Sequence, residues 1–133
     1  MKLVLASYFE KDNHGSGRKI GISPGKPKSS DAVECDLRFG ALDPGQLYWD
    51  YHKFKKEDPE HAGEAFTVAY KKQCQDFIDD VKDKAAKESK TVFELLPFQD
   101  GDTLLSWEKK GNTSYRAIAA EFLRELGYEV VEN

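Results

Sequence analysis

The last third of the chain combines a buried strand, an amphipathic helix and a second strand, and this pattern constrains the fold more than any other feature. Residues 103–107 are a short apolar run typical of a buried strand. A helical stripe of apolar residues begins at about Ser114 and ends at Gly127, and residues 128–131 predict the next strand. Because two strands joined through a helix lie parallel in one sheet, this segment predicts a βαβ unit.

The rest of the chain predicts the same class. Residues 2–9 are a continuous apolar run, which is typical of a strand buried on both faces of a parallel sheet. Apolar residues recur at helical spacing over 59–87, behind an Asp58 N-cap. Shorter predicted elements are strands within 19–23 and 33–39, a helix at 47–54 and a helical turn opened by a Thr91–Glu94 capping box. We therefore expect one domain over residues 1–133, an α/β fold built as a small Rossmann-like sandwich with a mainly parallel sheet flanked by helices.

Composition narrows the classes of function. The 133 residues are 39% hydrophobic and 33% charged, which indicates a globular domain without a membrane-spanning run. The net charge of −4 gives nucleic-acid binding no overall support, so an anionic partner must meet a local basic patch. The apolar start breaks at Ser7 without a secretory signal, and we expect a cytoplasmic protein. Cys35 and Cys74 lie far apart and predict neither a zinc site nor a disulfide, and we expect no cofactor.

Two stretches fall at the predicted carboxyl edge of the sheet, where parallel α/β folds bind ligands. They comprise Ser7 and Tyr8 after the first strand, and Ser106, Trp107, Glu108, Ser114 and Arg116 after the strand of the βαβ unit. Arg116 stands in the first turn of its helix, where a cation opposes the helix dipole unless an anion or a carboxylate compensates it. Arg116 is therefore a candidate anion ligand, and an ion pair with Glu108 or another acid is the alternative.

A basic, glycine-rich segment follows the first strand. Residues 13–30 contain no acid, and their basic residues are Arg18, Lys19, Lys26 and Lys28. Glycines there allow backbone amides to approach a phosphate, which makes Lys26 a candidate ligand-binding residue. The segment lacks the glycine spacing of both the P-loop and the dinucleotide-binding loop, so a solvated loop is the alternative.

Motifs along nearly the whole chain resemble the family known as domain of unknown function 488. The matching stretches are Ser7-Tyr8-Phe9, Ile22-Ser23-Pro24-Gly25-Lys26-Pro27, Leu42-Asp43-Pro44, Leu104-Leu105-Ser106-Trp107-Glu108-Lys109 and Ser114-Tyr115-Arg116. Their order and spacing carry the resemblance. It implies a compact α/β fold with a site gathered around these motifs, Ser23 included.

Three positions depart from the family pattern. Ser106 and Ser114 stand where the family has cysteines, and Tyr115 stands where it has a histidine, whereas Glu108, Lys109 and Arg116 are retained. These departures exclude a thiolate nucleophile or a Cys/His metal site at those positions. A serine nucleophile would need a base, and no histidine lies nearby in the sequence. The family has no settled biochemical role to transfer.

Three functions follow from this pattern. The leading hypothesis is a binding domain for a small phosphorylated or nucleotide-like ligand, with Arg116 and the amides of residues 113–115 at the phosphate and with Tyr8 or Trp107 stacked on a base. The alternative is a hydrolase or transferase acting on a nucleotide or nucleic-acid substrate, with Glu108 as general base and Arg116 stabilising developing charge. The third is a protein-interaction domain that uses the aromatic segment 48–54. No oligomeric state is predicted.

Overall fold

Five parallel strands form the centre of the molecule. The computed structural model describes residues 1–9, 14–15, 17–23, 34–106 and 115–132. The strands are β1 (Lys2–Ser7), β2 (Lys19–Gly21), β3 (Leu37–Arg38), β4 (Thr103–Ser106) and β5 (Glu129–Glu132). They form one sheet in the order β3-β2-β4-β1-β5, and every pair in it is parallel. With its flanking helices, this sheet confirms the predicted α/β, Rossmann-like fold.

Helices connect the strands. They are α1 (Gln46–Phe54), α2 (Pro59–Glu88), α3 (Val92–Leu95) and α4 (Tyr115–Glu125), with a 3₁₀ helix at Gly40–Leu42. Helix α2 begins where the Asp58 carboxylate accepts a hydrogen bond from the backbone N–H of His61, and it ends at Ser89 in the left-handed conformation. Among the residues described, no helix is at once long enough and apolar enough to span a membrane.

The predicted elements are present, but β1, β2 and β3 are shorter than predicted, and β5 is shifted by one residue. Strand β1 ends at Ser7 rather than at residue 9. Strand β2 ends at Gly21 rather than at residue 23. The strand predicted within 33–39 is reduced to the two residues of β3, and residue 33 lies outside the described part of the chain.

The central strands β1 and β4 are buried on both faces. Leu3, Leu5 and Leu104 point to the face on which α2 and α4 pack, and all three are fully buried. Val4 and Ala6 point to the opposite face and are also buried. The residues at the carboxyl ends of these two strands are therefore buried, and their polar groups are shielded from water.

An ion pair lies at the amino edge of the sheet, and one of its members belongs to the basic segment 13–30. Asp102 is 1% exposed and accepts hydrogen bonds from Arg18 Nη2 at 2.8 Å and from the Gln99 backbone N–H at 2.8 Å. Lys19 Nζ donates to the carbonyl oxygens of Gly15 at 2.7 Å and Gly17 at 3.1 Å. Arg18 and Lys19 are thus structural and lie away from the carboxyl edge, whereas Lys26 and Lys28 fall outside the described residues.

Candidate functional site

The carboxyl ends of β1 and β4 lie side by side. Ser7 and Ser106 are direct partners across the two strands, and the Tyr8 backbone N–H donates to the Ser106 carbonyl at 3.0 Å. On the other side of β4, the Ile22 backbone N–H donates to the Leu105 carbonyl at 3.0 Å, which brings Ser23 to the same edge. Ser7, Ser23 and Ser106 are all fully buried. The edge therefore gathers three hydroxyl groups from three neighbouring strand ends.

These side chains divide between the two faces of the sheet. Side chains alternate along a strand, so Ser7 and Ser106 lie on the face of Leu5 and Leu104, where α4 packs. Tyr8 and Ser23 lie on the opposite face. The predicted site residues therefore share one edge, but the serine pair and the tyrosine contact different surroundings.

On that opposite face, polar groups surround Tyr8. Its hydroxyl accepts a hydrogen bond from Ser23 Oγ at 3.3 Å, and the Arg38 guanidinium donates to the Ser23 carbonyl at 2.5 Å. Burial raises the pKa of the Tyr8 phenol, while Ser23 and the charge of Arg38 act in the opposite direction. A Cβ at Gly21 would lie 2.5 Å from the Tyr8 hydroxyl, so glycine is required beneath it.

The burial of Tyr8 changes its proposed role. The side chain is 0% exposed, and its hydroxyl is already held by Ser23. A fully enclosed ring offers no face to an incoming base, so Tyr8 is not a stacking platform in this structure. The prediction that Tyr8 stacks on a nucleobase is therefore corrected, and the residue instead holds the Ser23 segment against the sheet.

His14 also lies at this edge, and no motif in the sequence predicts its position. Its Nε2 lies 2.6 Å from the Ser7 carbonyl oxygen, and because a carbonyl only accepts, Nε2 carries the proton. Within the described residues, no group bonds the other ring nitrogen. Sequence reasoning missed this histidine and Arg38 as neighbours of the site, because no motif marks either residue.

Arg116 occupies the first turn of α4, the helix that follows β4. The residue is 2% exposed, and it makes interactions within the protein. Its neighbour Tyr115 is fully buried against the rings of Tyr48 and Tyr70, with centroid separations of 5.9 and 5.4 Å. The aromatic packing of Tyr115 fixes the start of α4 and therefore the backbone from which the Arg116 guanidinium projects.

Several predicted site residues lie outside the described part of the chain, namely Lys26, Trp107, Glu108 and Ser114. The ion pair between Arg116 and Glu108 is thus neither supported nor opposed by the geometry. Among the residues described, no group of histidine, cysteine and acidic side chains is placed to hold a metal ion. Both cysteines are free thiols, and burial raises the pKa of Cys74 to about 11, which keeps that thiol protonated.

Comparison with known proteins identified no relative of this chain. No family model matches the chain, and neither the curated proteins nor the solved structures contain a significant match. Arguments about function therefore rest on the site itself.

Proposed function

We propose that this protein binds a small phosphorylated or nucleotide-like ligand at the carboxyl edge of its sheet. The observation that carries the proposal is the placement of Arg116, a guanidinium 2% exposed in the first turn of the helix that follows β4. Removing a cation from water costs free energy unless charged or polar groups compensate it. Arg116 has such partners within the protein, and an anionic ligand at this edge adds a further one.

The surroundings of Arg116 suit a phosphate. Arginine presents a planar fork of donors that matches two phosphate oxygens, and the amides of a helix N-terminus add further donors. Helix α4 spans 11 residues, long enough to have a developed dipole. Ser7 and Ser106 lie on the face where α4 packs and add buried polar groups to this side of the carboxyl edge. We assign Trp107 as the residue that stacks on a base, and Lys26 as a further cation toward the phosphate.

The test compares Arg116→Lys with Arg116→Gln, because the first keeps the charge and loses only the fork of donors. Inorganic phosphate, AMP and ATP are titrated against each variant by calorimetry, with adenosine as the uncharged probe. AMP and ATP at about 100 times the dissociation constant stabilise the wild type by about 2.7 kcal/mol. Arg116→Lys weakens their binding about tenfold or more, because lysine binds phosphate as a point charge.

Arg124→Lys is the matched control on the same helix. Its guanidinium donates to the Val130 carbonyl at 2.8 Å at the far end of α4, so binding is unchanged there. Arg116→Gln tests the charge itself, provided that its circular dichroism spectrum matches the wild type. Equal affinity for AMP and adenosine, or unchanged binding by Arg116→Lys, contradicts the proposal.

A second candidate, a hydrolase or transferase acting on a nucleotide or nucleic-acid substrate, is favoured by His14. When Nε2 donates to the Ser7 carbonyl, Nδ1 of the neutral ring is a proton acceptor at the strand edge. If this candidate is right, Glu108→Gln or His14→Gln lowers phosphate release from ATP about a hundredfold or more while AMP still binds. Wild-type protein that releases no phosphate from ATP and leaves an oligonucleotide intact excludes those reactions.

We also propose that the chain is a divergent member of the domain of unknown function 488 family and that it acts in the cytoplasm. The order of its motifs supports membership, as does the arrangement of Ser7, Ser23 and Ser106 at one edge of the sheet. Serines at the family's two cysteine positions and Tyr115 at its histidine position favour binding over thiol chemistry.

A further inference from the structure

A groove of about 450 Å³ lies between α1 and α2, on elements that the proposed phosphate site does not use. Its floor is formed by Ala62, Ala65 and Ala69, which recur at helical spacing along one face of α2. Small side chains on a face that packs against a neighbouring helix leave space between the two helices. The groove is lined by Leu47, Asp50, Tyr51, Phe54, Glu57, Asp58, His61, Ala62, Ala65, Phe66 and Ala69.

Aromatic rings form the walls of this groove. The rings of Tyr51 and Phe66 pack together with centroids 5.4 Å apart, while Phe54 is 50% exposed at the rim. Lys55 Nζ lies 5.6 Å from the Tyr51 ring centroid and Lys53 Nζ lies 5.7 Å from that of Phe54. The electron-rich faces of these rings therefore already attract ammonium groups, although neither lysine lines the groove.

Three carboxylates line the groove, and its one basic side chain, His61, is paired with one of them. Its carboxylates belong to Asp50, Glu57 and Asp58, and no lysine or arginine is among the lining residues. Asp50 accepts a hydrogen bond from the neutral amide of Gln46 at 2.9 Å, so its charge is not neutralised there. Asp58 is paired with His61, and within residues 34–106 the Glu57 carboxylate has no hydrogen bond or ion pair. Apolar walls with acidic groups at the rim complement a cation that carries an apolar body.

We propose that the groove between α1 and α2 binds a small organic cation, an amine in its protonated or quaternary form attached to an aromatic or branched aliphatic body. Sites for small molecules are typically about 300–1,000 Å³ in volume, mostly apolar, with a few polar groups that fix orientation. This groove meets each condition. The apolar body replaces water against the alanine floor, and the ammonium group contacts the Tyr51 and Phe54 rings and the carboxylates of Asp50 and Glu57.

The test uses 2-phenylethylamine hydrochloride as the cationic probe. Its matched analogues are 2-phenylethanol, which has no charge, and 3-phenylpropanoate, which is an anion. Binding is followed by the ¹³C-methyl resonances of Ala62, Ala65 and Ala69. The amine shifts these methyl groups in a saturable way with a dissociation constant in the millimolar range or tighter, the alcohol binds at least about fivefold more weakly, and the carboxylate does not bind.

Three variants separate the parts of the proposal. Asp50→Asn combined with Glu57→Gln weakens amine binding about fivefold or more. Glu60→Gln removes a carboxylate from the first turn of α2 that does not line the groove, and it leaves the affinity unchanged. Ala65→Phe fills the floor and abolishes binding, and its thermal unfolding verifies that it folds.

Three results overturn the proposal. The first is equal binding of the amine and the alcohol, because charge then has no role. The second is binding that survives in Ala65→Phe. The third is a concentration-dependent dimer that Ala65→Phe disrupts, because a second copy of the chain then occupies the groove.

Discussion

Gly17 is a single residue on which a close contact between two backbone segments depends. Its backbone N–H donates to the Gly101 carbonyl at 3.2 Å, and a Cβ there would lie 2.6 Å from backbone atoms of Gly101. These backbone atoms cannot move away by a change of rotamer, as side-chain atoms can. The contact holds the chain before β2 against the turn before β4, next to the Arg18–Asp102 ion pair.

Gly17→Ala is therefore expected to lower the free energy of unfolding by about 2 kcal/mol or more, because the two backbone segments must separate. Gly63→Ala is the matched control, since a Cβ at that position in α2 meets nothing within 4 Å. Alanine favours a helix over glycine, so the control raises the free energy of unfolding by about 0.5–1 kcal/mol. Chemical denaturation measures both, and equal stability of the two variants contradicts the assigned contact.

At the scale of elements, local signals in the sequence predict the helices well. Asp58, Pro59 and the recurring apolar residues predict a helix over 59–87, and α2 is only one residue longer. The capping box is formed as predicted, with the Thr91 hydroxyl accepting from the Glu94 N–H at 3.1 Å and the Glu94 carboxylate accepting from the Thr91 N–H at 2.9 Å. Caps and periodicity act over a few residues, which is why they can be recognised without the fold.

Contacts between distant segments are the part that the sequence does not reveal. Arg18 contacts Asp102 across a long stretch of sequence, and His14 contacts Ser7 although no motif predicts that contact. Arg18 belongs to the basic segment 13–30, and the fold supplies a buried carboxylate for it. Similarly, the short β3 brings Arg38 to the Ser23 carbonyl, and no motif marks that residue.

The pair of Asp58 and His61 at the start of α2 makes the stability of the folded protein depend on pH. The Asp58 carboxylate raises the pKa of His61 above its ordinary value of 6.5, and His61 lowers the pKa of Asp58. The stabilisation from protonated His61 is fully present below pH 6.5 and is lost as the pH rises through the raised value. Asp58 remains ionised throughout this window. His61→Gln is therefore expected to lower the melting temperature at about pH 6 more than at about pH 8.5.

His52→Gln is the control of opposite sign for this measurement. Burial and the nearby Lys55 charge lower the pKa of His52, so this residue destabilises the folded state as the pH falls below its ordinary value. The His52→Gln variant therefore gains stability relative to the wild type at about pH 6. A melting temperature difference for His61→Gln that does not change with pH shows that the Asp58 pair contributes nothing.

At the scale of the whole molecule, a net charge of −4 coexists with a buried cation at the carboxyl edge. An acidic protein repels anions in general, so anion binding has to arise from local geometry, and added salt weakens it by screening. The amino edge holds the ion pair of Arg18 with Asp102, and the carboxyl edge holds Arg116 and the serine hydroxyls.

The most direct test of the carboxyl-edge site is an amide ¹H–¹⁵N titration of the wild-type protein with AMP. We expect saturable shifts at Ser7, Tyr8, Ser106 and Arg116, with little change at the amino edge, at Lys2 and Gly101. Raising the salt concentration weakens the binding without moving it to other residues. Saturable shifts centred on the amino edge, or none at any residue in the presence of millimolar AMP, contradict the assignment of the site.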